Sequence, residues 1–262
     1  MVGLLPLCAA TVFPADVAQR FPKLMARMEE FLKRNPDLRR LLVPPRSGQT
    51  GRPLLALLDE KKLRRVLSRM LDEREFLAPG GIRSLSRHHL DHPYVLHVGE
   101  HEYEVRYLPA ESDSGMFGGN SNWRGPVWMP VNALIIRALL QFYQFYGDSF
   151  RIEFPTGSGR ELTLFEVAHE LSSRLAGIFL RGPDGKRPVF GGAAKFQDDP
   201  HWRDLLLFYE YFHGDNSAGI GASHQTGWTG VVARFMQIFG HLRPDELLKD
   251  REGRPVARYY ME

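Results

Sequence analysis

Residues 119–147, GNSNWRGPVWMPVNALIIRALLQFYQFYG, constrain this chain more than any other stretch. They open as a polar, glycine-bearing loop with two tryptophans and an arginine, and then lose nearly every polar side chain. Apolar residues recur at Val131, Leu134, Ile135, Ala138, Leu139, Phe142, Phe145 and Tyr146. That is the i, i+3, i+4, i+7 spacing of a helix buried along a wide stripe. Pro126 suits its first turn, where a missing N–H costs nothing, and Gly147 suits its stop. A loop rich in recognition chemistry is thus mounted on a rigid, buried helix, which favours a binding site.

Further helices are expected on both sides. One opens at Pro14, carries Val17, Phe21, Leu24, Met25, Met28 and Leu32, and ends at Asn35-Pro36. A second places Leu63, Val66, Leu67, Met70 and Leu71 on one face, after a turn-rich loop, VPPRSGQTGRP, at residues 43–53. From Tyr94 to Leu108 apolar and polar residues alternate around Gly99, the pattern of a β-hairpin. Thr163 and Glu166 have the spacing of a capping box ahead of Leu171, Leu175, Ile178 and Phe179. Asp199-Pro200 is expected to open a helix through Trp202, Leu205, Leu206 and Tyr209. The last helix is expected from about Thr226 to Phe239, with Gly240 as its stop. The class is mainly α with a small hairpin.

Composition excludes several functions. With 43% apolar and 25% charged residues the chain is globular, and a net charge of +3 with interleaved signs predicts no nucleic-acid partner. Cys8 is the single cysteine, so no internal disulfide forms, and a reducing, cytoplasmic location is expected. No apolar run reaches the ~20 residues of a membrane span, and MVGLLPLCAA, with Pro6 and no basic lead, reads as a buried segment rather than a signal peptide.

Three groups of residues could carry chemistry. Asn120, Asn122, Trp123, Arg124 and Trp128 combine indole faces, which pack on the C–H side of a sugar ring, with amides and a guanidinium for its hydroxyls; the same tryptophans also suit a core. In FYEYFHGDNSAGIGASHQTGWTG, residues 208–230, Glu210 lies among Phe208, Tyr209, Tyr211 and Phe212, followed by a glycine-rich loop and then His224, Gln225 and Trp228. A carboxylate among aromatics beside a polar cleft is the setting of a general base, although a lone Glu more often faces solvent at a helix end. Asp113 and Asp215 are rival carboxylates in loops. The histidines His88, His89, His92, His97 and His101 have no Cys or acidic partner at ligand spacing, so no metal is expected. PTGSGR, residues 155–160, lacks the strand and the GK[ST] of a phosphate loop.

The pairing of GGNSNWRGPVWMPVN with FYEYFHGDNSAGIGASHQTGWTG resembles the C-terminal part of glycoside hydrolase family 63, the processing α-glucosidases and their bacterial relatives such as mannosylglycerate hydrolases. GGIRSLSRHH, PTGSGRELTLFEVAHELSSRL and KFQDDPHWRDLLLFYEYFHGD extend the likeness over nearly the whole chain. The resemblance implies an (α/α)6 toroid with its active site in the loops at one end, and inverting hydrolysis of an α-glucoside or α-mannoside without a cofactor. It puts Glu210 at the position of the water-activating base, and Asn120, Trp123, Arg124, Trp128, His224 and Trp228 in the segments lining the sugar pocket.

The departures from the family pattern carry information too. A toroid needs twelve helices and the pattern yields about six, and the tryptophan–aspartate dipeptide that marks the family's general acid is absent. Residues 1–262 are therefore expected to be an incomplete, C-terminal portion of the catalytic domain, with the acid upstream and the missing half, or a second copy, as partner. A carbohydrate-binding or assembly module derived from such an enzyme is the alternative.

Overall fold

The computed structural model describes residues 1–14, 16–41, 52–115 and 121–248. Asn120 and the expected loop as far as residue 51 lie outside them. At the N-terminal end β1 (Ala10–Val12) pairs antiparallel with β2 (Leu54–Ala56). Between these strands run α1 (Val17–Arg20), α2 (Pro22–Arg34) and α3 (Pro36–Leu41). The single helix expected from Pro14 to Asn35 is therefore two. Pro22 disfavours helical geometry in the residue before it, and Phe21 turns out of the helix at φ −131°, ψ 57°. The apolar stripe is exposed at Phe21, Leu24 and Met28, as is Phe31 beside it; only Val17 and Leu32 are covered.

Next, α4 (Glu60–Met70) buries Leu63, Leu67 and Met70 as expected, capped by the Asp59 carboxylate on the amide of Lys62. The short ladder of β3 (Leu77–Ala78) with β4 (Gly81–Ile82) follows. The expected hairpin is present as β5 (Tyr94–Val98) and β6 (His101–Val105).

The central helix α5 (Met129–Tyr146) is buried almost all round. It starts later than expected, with Pro130 rather than Pro126 in its first turn, because Val127 pairs as a strand residue with Phe212 and Arg83. It stops where expected: Gly147 has φ 60°, a left-handed conformation that a Cβ disfavours. A hairpin of β7 (Arg151–Glu153) and β8 (Glu161–Thr163) leads into α6 (Leu164–Gly177), whose Thr163–Glu166 capping box is complete. Within PTGSGR the amides of Gly157 and Gly159 donate to the Glu153 carboxylate, so this loop binds its own acid.

After α7 (Ala194–Asp198) the expected helix at Asp199–Tyr209 is absent. The chain turns at 200–204 with Trp202, Leu205 and Leu206 exposed, then runs without regular structure to a bend at Glu210 and into β9 (Tyr211–Phe212), which pairs with β10 (Gly219–Ile220). Long-range pairing overrides the local helical period here: Gln225 N–H donates to Phe208 O, and Thr229 Oγ1 donates to Tyr209 O. The last expected helix is also divided, into α8 (Thr226–Thr229) and α9 (Val231–His241), which runs through Gly240 before α10 (Pro244–Leu248).

Three helices form the central layer. The start of α5 and the end of α6 both meet β4: Asn132 bonds both backbone groups of Ile82, and Leu175 lies against Gly81. The end of α9 meets the start of α6 through Phe239 on Phe165 and His169. Neighbouring helices in the layer α5–α6–α9 therefore run antiparallel, and the loops at the start of α5, the end of α6 and the start of α9 gather at one end. Among the described residues no helix is long and apolar enough to cross a membrane.

Candidate active site

The two sequence stretches that suggested chemistry meet at that end. Val127 and Phe212 exchange backbone hydrogen bonds of 2.8 and 2.9 Å, locking the loop before α5 to the strand after Glu210. On this frame four aromatic rings assemble. Trp123 stacks on Trp128 with centroids 3.9 Å apart and planes 2° from parallel; Tyr211 lies on Trp128 at 4.7 Å, and Trp228 meets it edge-on at 6.2 Å. Trp128 is the covered centre, its indole N–H donating to Asn122 O. Trp123 and Trp228 are 37% and 38% exposed, so each leaves part of an indole open to a ligand.

Glu210 precedes the stacked Tyr211 and is partly buried at a bend, not at a helix end. Its Oε1 accepts from Ser121 Oγ at 2.7 Å. Gly221, at φ 78°, lies against its Oε2 so closely that an added Cβ would come within 2.8 Å. Among the described residues Glu210 has no ion-pair partner. Burial, with the charges of Glu111 and Glu210, raises the Tyr211 phenol above its usual range.

The rival carboxylates are engaged differently. Asp215 Oδ1 accepts from Tyr107 Oη at 2.9 Å and from Arg83 Nη2 at 3.2 Å. Arg83 is buried and also donates to Gly214 O, Glu73 O and Leu77 O. This network, which joins the β4 segment to the loop after β9, was not foreseen in the sequence: its members lie up to 132 residues apart with no local pattern linking them. Burial holds the Tyr107 phenol far above its usual range, with Arg83 pulling the other way. Burial also depresses the pKa of His213, whose Nδ1 accepts from the amides of Asp215 and Asn216. Asp113 accepts from Arg124 Nη2 at 3.0 Å.

The other expected site residues divide by environment. Arg124 is 5% exposed and its guanidinium donates to Ser112 and Asp113. Asn122 is buried, its amide donating to Leu108 O and Ala110 O. His224 is exposed, and its backbone bridges to Phe208 beside Glu210. Ser121 and Gly221, in contact with Glu210, had no sequence signal beyond their place in the two motifs. Among the described residues no three His, Cys, Asp or Glu side chains converge as a metal site; His88 and His92 instead stack face to face at 4.4 Å.

All of the described site residues lie within residues 52–229, which match the family model of the mannosylglycerate hydrolase MGH1-like glycoside hydrolase domain. The chain belongs to this glycoside hydrolase family. Membership agrees with the motif resemblance to family 63. The chain is 46% identical over 244 residues to an uncharacterized protein of Saccharomyces cerevisiae, YMR196W, covering 92% of this chain and 22% of that protein. It is 26% identical over 186 residues to a probable mannosyl-oligosaccharide glucosidase of Schizosaccharomyces pombe, covering 70% of this chain and 16% of that protein. The chain thus spans about a fifth of the length of these curated relatives.

Proposed function

We propose that this chain carries the base half of an inverting α-glycosidase site, with Glu210 as the base, acting on an α-glucoside or α-mannoside. The observation that carries the reading is Glu210 beside a tryptophan cluster, tethered by a neutral hydroxyl and without an ionic partner among the described residues. An acceptor carboxylate of this kind can take a proton from water as the water oxygen attacks the anomeric carbon. The bond to the leaving oxygen breaks on the opposite face, and a second carboxylic acid protonates it, the two groups standing ~6.5–9.5 Å apart. The exposed parts of Trp123 and Trp228 supply apolar faces for the sugar ring, and Trp128 and Arg124 hold the loop that presents Trp123.

Asp113 and Asp215 are each tied to a buried arginine, and in this reading the general acid is the upstream aspartate that the family resemblance implies. The antiparallel helix layer with its site loops at one end is read as part of an (α/α)6 toroid.

The test uses α-glucosyl and α-mannosyl fluorides, whose leaving group needs little protonation. The chain is expected to hydrolyse one of them, releasing the β-anomer first, while turning over ordinary α-glucosides barely above background. Glu210→Gln is expected to lower turnover by at least ~10²-fold with sugar affinity largely kept. Normal turnover in that variant would remove Glu210 from the role and leave Asp215 as the next candidate. Sugar binding with no turnover of either fluoride would identify a binding module.

A further inference from the structure

We infer that Ser121 is the positioning residue of the base, and that the loop carrying the tryptophan platform aims Glu210 through this one hydroxyl. The inference rests on the reading of Glu210 as the base. A glutamate has three rotatable bonds, and outside a helix or ladder its carboxylate is free to swing unless something holds it. Here one oxygen is held from the other motif. Ser121 Oγ donates to Oε1 at 2.7 Å from the segment that continues into the Trp123–Trp128 stack. Gly221, in the loop after β10, leaves open the space beside Oε2 that a Cβ, 2.8 Å from that oxygen, would fill. A carboxylate that must take a proton from water needs one oxygen held and the other directed at the water. The hydroxyl hydrogen bond supplies the holding without neutralising the charge, which an arginine or lysine at the same place would do.

Ser121 and Glu210 are 89 residues apart in sequence, so their contact also couples the two motifs. A sugar ring settling on Trp123 bears on the loop that holds Ser121. Platform and base then form one unit, and the geometry of the proton acceptor depends on the loop that recognises the sugar.

The test measures turnover of the α-glycosyl fluorides and, separately, glucose or mannose affinity through tryptophan fluorescence. Ser121→Ala is expected to lower kcat about 10- to 100-fold, the value of one charge-assisted hydrogen bond to the base. KM and sugar affinity should change by no more than about twofold. Ser121→Thr keeps the hydroxyl and is expected to restore most of the rate, which a merely structural serine would not require. In a Glu210→Gln background, Ser121→Ala should cost nothing further. Wild-type kcat in Ser121→Ala, no rescue by Thr, or an equal loss in both backgrounds would overturn the positioning role. The two readings fail separately. Normal turnover in Glu210→Gln, or none in the wild-type chain, overturns the base and its positioning together. An impaired Glu210→Gln beside an unimpaired Ser121→Ala overturns the positioning alone.

Discussion

Single residues in this molecule owe their roles to partners far away in sequence. Arg83 shows this best: one buried guanidinium serves Tyr107, Asp215 and several backbone carbonyls, and so holds the loop beyond β9 in place. His213, in the same loop, yields a prediction. Its Nδ1 accepts two amides, so it must be unprotonated there, and burial depresses its pKa against the opposing pull of Asp215. Below its unfolded pKa of ~6.5 the unfolded chain therefore binds more protons at this site than the folded one, and stability falls as pH drops through that value. Melting temperature measured from pH 7.5 to 5.5 (about one unit to either side of that pKa) is expected to decline more steeply in the wild type than in His213→Asn. The asparagine Oδ1 accepts the same amides and binds no proton. Parallel declines would locate the titration elsewhere.

Helix ends are where local chemistry acts most plainly. The Thr163–Glu166 box satisfies the first amides of α6, and Gly147 closes α5 in a conformation that costs other residues about 1 kcal/mol. Gly147→Ala is expected to lower the melting temperature by about 2–4 °C for a chain of this size, without changing the fluoride-hydrolysis rate. An unchanged melt would mean that α5 ends equally well without its left-handed residue. Elements without such local signals came out differently from expectation. Phe21-Pro22 broke a helix whose apolar period was continuous, and the segment at 205–209 is not helical although its spacing was.

For the molecule as a whole, the uncovered apolar surface is the main physical liability. Along α2, Phe21, Leu24, Met28 and Phe31 are exposed. On the β5–β6 hairpin the cross-strand pairs Tyr94–Val105, Leu96–Tyr103 and Val98–His101 share one face, and Tyr94, Leu96, Val98 and Tyr103 are all exposed. Contiguous apolar patches of this kind promote association. The purified chain is expected to self-associate with rising concentration in sedimentation velocity, and a Leu24→Lys, Leu96→Lys variant to do so less. A single monomeric species at every concentration would count against that reading.

The sequence alone determined those features whose causes lie within a few residues: the period and stop of α5, the capping box of α6, the alternation of the β5–β6 hairpin and the burial of α4. Helical period and caps act over three or four positions, so they can be read in one dimension. The two long motifs also identified the family, because they carry residue identities rather than shapes. Which end of the helix layer holds the site, and what touches Glu210, were settled only in three dimensions. Val127 had to pair with Phe212, Phe208 with His224, and Ser121 with Glu210, across gaps that no local pattern spans. Those pairings replaced the helix expected up to Tyr209 with a non-helical run that bends at Glu210, because backbone groups captured by a distant partner are no longer available to a local turn.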